Sequence, residues 1–97
     1  EFVALTTAAD RARVADLAER MRAAVAESVV DCGEVRIAVT VSIGFHVFVP
    51  AETAEDRAAV VARADTALYA AKRLGRNRVV DADAIDPVQA DAEQALD

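Results

Sequence analysis

Between Val35 and Val49 every odd-numbered residue is a large apolar one: Val35, Ile37, Val39, Val41, Ile43, Phe45, Val47 and Val49. A period of two places alternate side chains on opposite faces of an extended chain. The run therefore predicts a strand with one buried face, which needs a partner layer to cover it. The even positions are mixed: Arg36, Ala38, Thr40, Ser42, Gly44, His46 and Phe48. Of these, Ala38, Ser42 and Gly44 are small enough for another element to approach that face closely. Gly44 also marks a bulge or bend in so long a strand. His46 has no second ligand at metal spacing and reads as a solvated or packed strand histidine.

Two stretches flank this strand with helical spacing. Thr7 has the look of an N-cap, with Asp10 three residues on as its capping-box partner. From there to about Glu27 the residues Val14, Leu17, Ala18, Met21 and Val25 share one face, so Met21 reads as core filling. Arg11, Arg13, Asp16, Glu19, Arg20 and Arg22 take the remaining surface. After Pro50, Thr53 and Asp56 repeat the capping spacing. A second helix is predicted from about Ala54 to Leu74, with Val60, Ala64, Ala67, Leu68 and Ala71 inward. Phe2, Val3 and Leu5 predict a strand over Glu1–Thr6, and Arg76–Val80 gives a closing one. Val29-Val30 ahead of Asp31-Cys32-Gly33 reads as a short strand and a hairpin-like turn. The order strand, helix, strand, helix, strand is that of a mixed α/β chain, a sheet with helices on one or both faces.

The second helix ends in an informative way. Gly75 stands where a helix end favours a residue able to take positive φ, and Arg76-Asn77-Arg78 leads into the last strand. Lys72, Arg73, Arg76 and Arg78 crowd this corner of a chain whose net charge is −6. Basic groups on a rigid helix-to-strand corner are suited to a polyphosphate, because charge-assisted bonds to phosphate are among the stronger polar contacts. Cations in a last turn also complement the helix dipole, which needs no ligand.

At 97 residues the chain is at most one small domain, and although 55% of it is hydrophobic, much of that is alanine. The acidic balance argues against general binding to nucleic acid or anionic membranes. The single cysteine, Cys32, excludes an internal disulfide and lacks a neighbour that would activate it. No run is long enough to span a bilayer and no signal peptide is visible, so a cytoplasmic setting is expected, with any membrane tether upstream. Residues 82–97 turn acidic and lose large apolar residues, as in a tail or linker.

Several of these segments resemble one family. The run Arg63-Ala64-Asp65…Ala67-Leu68-Tyr69…Ala71-Lys72…Gly75-Arg76-Asn77 is similar to the C-terminal signature of the GGDEF domain, the diguanylate cyclases. Thr40-Val41-Ser42-Ile43-Gly44 resembles the strand before that family's last helix, and Glu19-Arg20-Met21-Arg22 its preceding helix. Glu1-Phe2 looks like the closing pair of the Gly-Gly-Asp/Glu-Glu-Phe motif. These elements occur in the family's order and spacing over about residues 1–81. The resemblance implies a ferredoxin-like, palm-type sheet and the condensation of two GTP into cyclic di-GMP with release of pyrophosphate. It further implies that Lys72 and Arg76 contact the GTP triphosphate, and that Glu1 is a catalytic carboxylate binding Mg²⁺ (or Mn²⁺). Arg20 would contact product at an inhibitory site. The partners implied are GTP, a second copy of the domain facing the first, and an upstream sensory domain.

The two glycines and first carboxylate of the motif would precede Glu1, as would the family's first strand, so residues 1–81 read as the C-terminal portion of the domain. The expectation is that this chain alone neither folds stably nor makes cyclic di-GMP. The alternative function is a non-catalytic GGDEF-like module that binds GTP or serves interaction.

Overall fold

The computed structural model describes residues 2–7, 10–50, 52 and 56–85. They form a mixed α+β unit: α1 (Arg11–Glu27), β1 (Val29–Cys32), β2 (Val35–Ala38), β3 (Ile43–Phe45), α2 (Arg57–Arg73) and β4 (Val79–Asp81). A 3-10 turn at Ala82–Ala84 follows. No helix among the described residues is long and apolar enough to cross a membrane.

Two small sheets replace the single long strand expected at Val35–Val49. β1 and β2 form an antiparallel hairpin with Cys32 opposite Val35, closed by the two-residue turn Gly33-Glu34. β3 pairs in parallel with β4, Ile43 opposite Val79 and Phe45 opposite Asp81, with α2 as the crossover that parallel pairing demands. The alternation therefore serves two different neighbours. Its first half pairs within a hairpin whose residues are all exposed, and only its second half meets helices. Residues 2–7 lie outside regular structure and are exposed, so the strand expected at Glu1–Thr6 is not formed over them. An extended segment needs a neighbouring edge, and Phe2, Val3 and Leu5 have none here.

The helix starts also differ from the capping-box reading. Asp10, not Thr7, caps α1, its side chain accepting from the Arg13 N–H at 2.8 Å. Asp56 caps α2 in the same way, accepting from Ala59 at 2.8 Å. Thr53, the expected cap of α2, lies outside the described residues, as do residues 86–97 of the acidic tail.

The core lies where α1 and α2 meet β3 and β4. Its buried residues are Ala18, Ala67, Ala70 and Ala71. Small side chains let backbones approach. A Cβ built on Gly44 would lie 2.1 Å from the Leu68 nitrogen and 2.6 Å from the Ala64 oxygen, so β3 passes directly against α2. Gly44 is thus the close-approach residue its size implied, and it sits opposite Val80 in an unbroken parallel register rather than at a bulge.

The inward face of α1 is rotated from the one its largest apolar residues mark. Ala18 is buried, Val14, Ala15, Arg22 and Val25 are half-buried, while Leu17 and Met21 are exposed. Met21 is therefore not core filling. Arg11, Ala15, Ala18 and Arg22 recur at steps of four, three and four, one stripe of a helix. Arg11, at one end, pairs with Asp81 and Asp83 where β4 gives way to the 3-10 turn. Arg63 of α2 also reaches Asp83, at 3.7 Å. These acids hold the Arg11 guanidinium above its ordinary pKa, first through the hydrogen bond to Asp81.

Candidate functional site

The basic corner begins with the way α2 stops. Leu74 caps the helix, the Arg76 N–H donates to the Ala71 carbonyl at 2.9 Å, and the Gly75 N–H to that of Lys72 at 3.4 Å. This pair of bonds is the Schellman arrangement, which satisfies carbonyls left open at a helix end. It asks for positive φ after the cap, and Gly75 has φ +122°. The left-handed excursion then continues through two residues that do have Cβ atoms, Arg76 at φ +63° and Asn77 at φ +50°. Asparagine tolerates this region; arginine does so at a cost, of order 1–3 kcal/mol for such strained positions.

The corner is fastened to its surroundings. The Asn77 N–H donates to Ser42 Oγ at 3.1 Å, and the Ile43 N–H to the Arg78 carbonyl at 2.9 Å, which starts the β3–β4 ladder. Arg78 Nε donates back to the Arg76 carbonyl at 3.2 Å. From α1, Arg22 Nη1 donates to Asn77 Oδ1 at 2.7 Å, while the rest of its guanidinium grips Glu19. That grip lowers the Glu19 carboxyl below its ordinary range, chiefly through the hydrogen bond.

Lys72 and Arg73 occupy the last turn of α2, Arg76 and Arg78 the segment beyond it, and all four are exposed. Among the described residues none of the four takes part in an ion pair. The helix dipole accounts for Lys72 and Arg73, but its influence fades beyond the last turn. The chemistry such a cluster offers is the binding of a multiply charged oxyanion.

The other expected site residues are not gathered here. Arg20 projects from the exposed side of α1, its nearest charge Asp16 at 3.9 Å, and touches nothing at the corner. Glu1 lies outside the described residues. Among the described residues no group of three His, Cys, Asp or Glu side chains is placed to hold a metal ion. His46 lies just past the end of β3 rather than in a strand; it is half-buried and stacks on Phe48, ring centroids 6.0 Å apart. A groove of about 940 Å³ runs between α1 and β4, but its lining is mainly apolar, including Phe45, Ala70, Leu74 and Val79, and the cation in it, Arg11, is already paired with Asp81 and Asp83.

Sequence reasoning missed Arg22, set with the solvated face because it is charged. Its signal was positional: it follows Ala18 by four residues and so shares that residue's face.

No curated protein and no solved structure matches the chain significantly. A family model does: that of the GGDEF domain, described as "Diguanylate cyclase, GGDEF domain", matches residues 1–78. The match takes in both helices, the hairpin, β3 and the whole basic corner up to the foot of β4. The chain therefore belongs to the GGDEF family of diguanylate cyclase domains.

Proposed function

We propose that the corner after α2 holds the polyphosphate of GTP, and that the chain is part of a diguanylate cyclase domain making cyclic di-GMP. The observation that carries this reading is the set of exposed cations on a rigid helix end, none of them in an ion pair among the described residues, within a member of this family. Lys72 lies two positions before the cap and Arg76 two after it, so the Schellman bonds fix their backbones relative to each other. In the reaction the 3′-oxygen of one GTP attacks the α-phosphorus of another. An oxygen–phosphorus bond forms, the bond to the β-phosphate breaks, and pyrophosphate leaves; a second such step closes the ring. Lys72 and Arg76 would contribute charge to the triphosphate and to the departing pyrophosphate, and would hold the nucleotide in position.

Two facing copies are required, each presenting one GTP, which makes a homodimer the working form. An upstream sensory domain would control their approach. Arg20 would serve product binding at most. Mg²⁺ or Mn²⁺, the metal the family implies, has one candidate ligand here, Glu1. One carboxylate is too few hard oxygen ligands, so Glu1 does not by itself fit the metal.

The test is GTP affinity and cyclic di-GMP formation in the full-length protein carrying Lys72→Ala or Arg76→Ala. Loss of either charge-assisted contact should weaken GTP binding about tenfold or more. Unchanged affinity in both variants would leave a scaffold whose cations merely complement α2. Binding that depends on both residues but yields no product would mark a non-catalytic GTP-binding module.

A further inference from the structure

We propose that Arg22 is a positioning residue for the corner: through Asn77 Oδ1 it holds Gly75–Arg78 in the left-handed conformation that presents Arg76. This inference rests on the corner being the phosphate site, and its test separates the two.

Three observations support it. Arg76 and Asn77 both sit at positive φ without being glycine; asparagine tolerates that region, but for Arg76 it persists only where surrounding contacts enforce it. The Schellman bonds fix Arg76 through its own N–H, and Ser42 fixes the Asn77 N–H, yet neither touches the Asn77 side chain. Arg22 does, from a helix 55 residues earlier in the chain, at 2.7 Å and with its side chain only 19% exposed. Its orientation is itself set, because two guanidinium nitrogens are bound to Glu19 and a third is left to aim at Asn77. A planar fork with several fixed donors can serve two partners in this way, whereas a lysine ammonium on a flexible stem cannot.

Arg22 carries no phosphate contact in this account; it acts through Asn77 on the backbone that carries Arg76. Arg22→Ala, Arg22→Lys and Asn77→Gly should then behave alike. The glycine variant removes the acceptor while accepting φ +50° freely, so it is the second route should Arg22→Ala fold poorly.

The experiment is amide hydrogen exchange on the full-length protein, with calorimetric titration of inorganic triphosphate as the binding probe. In all three variants exchange at Arg76 and Asn77 should rise about tenfold or more, while that at Ala67 and Ala70 in the middle of α2 stays at the wild-type rate. Triphosphate affinity should fall about tenfold, and Arg76→Ala added to Arg22→Ala should cost less than it does alone. Unchanged exchange at Arg76 and Asn77 overturns the proposal, as does an equal rise along the whole of α2 or full rescue by Arg22→Lys. If wild-type protein does not bind triphosphate, the phosphate reading fails, and the exchange data still decide whether Arg22 holds the corner.

Discussion

Of the chain's three glycines, Gly44 is the one where an added methyl should damage this fold most. The new Cβ would lie 2.1 Å from the Leu68 nitrogen, 2.6 Å from the Ala64 oxygen and 2.6 Å from the Ala67 carbonyl carbon. All three are backbone atoms of one helix, so no side chain can swing aside. Ordinary contact begins near 3.4 Å, and α2 would have to retreat from β3 by more than about 1 Å. That retreat uncovers Ala67 and Ala71, both at 0% exposure, and slackens the β3–β4 pairing beside them. Overpacking costs about 1–3 kcal/mol where side chains can adjust. With only backbone to yield, about 3 kcal/mol is the lower bound. In a domain of this size each kcal/mol moves the midpoint by about 4–8 °C, so the fall should exceed about 10 °C. The assay is loss of the helical signal at 222 nm on heating the full-length protein, Gly44→Ala beside wild type. A midpoint within about 2 °C of wild type would refute the close packing of β3 on α2.

Other predictions follow from the helix ends and the Glu19–Arg22 pair. Asp56→Ala removes the acceptor for the Ala59 N–H and should cost about 1 kcal/mol in urea unfolding, with Asp56→Asn nearly neutral. Gly75→Ala should cost about 1–3 kcal/mol because φ is +122°; Arg78 Nη2, 3.0 Å from the added Cβ, is the end of a flexible side chain and can move, so conformational strain is the cause. Glu19 has a depressed folded-state pKa, so its pairing stabilises the fold above the ordinary glutamate range, and that contribution is lost as pH falls through the folded value. Arg22, whose own pKa is raised by the pair, stays charged throughout. The urea midpoint between pH 7 and pH 3 should therefore decline more steeply in wild type than in Glu19→Gln, and parallel curves would deny the pair any part in stability.

The corner itself was legible in the residues, because its determinants are local. A glycine that must take positive φ, four cations in seven residues and a valine pair beyond them describe a helix stop without reference to the rest of the chain. The same holds for α1 and α2, whose apolar spacing placed both to within a few residues. The long strand was less legible. Alternation at Val35–Val49 shows that one side of an extended chain is apolar, but not which neighbour covers it. The hairpin therefore takes Val35 and Ile37 while β4 takes Ile43 and Phe45. The face of α1 misled for a related reason. Hydrophobic size marks Leu17 and Met21, whereas the contact surface is chosen by how closely backbones can approach. Close approach favours Ala15 and Ala18, draws Arg22 half inward and sets the exposed Arg11 against Asp81 and Asp83.

Those two arginines explain how a short strand with few buried neighbours keeps a strained entrance. Arg11 and Arg22 are separated by three turns of helix, about 16 Å at 1.5 Å per residue. Asn77, at the entrance to β4, and Asp81, its last residue, are four residues apart, at most about 13 Å even if that segment were fully extended. The helix is thus long enough to fasten both ends of the strand at once, and the alanines between the arginines let it lie close enough to do so. At the far end the contact is between full charges, Arg11 against Asp81 and Asp83; at the near end it is a single hydrogen bond to an asparagine held at positive φ. This asymmetry suits the proposed chemistry. A carboxylate in place of Asn77 would neutralise the cations beside it, whereas an amide accepts the Arg22 bond and leaves the charge of Arg76 available for an anion.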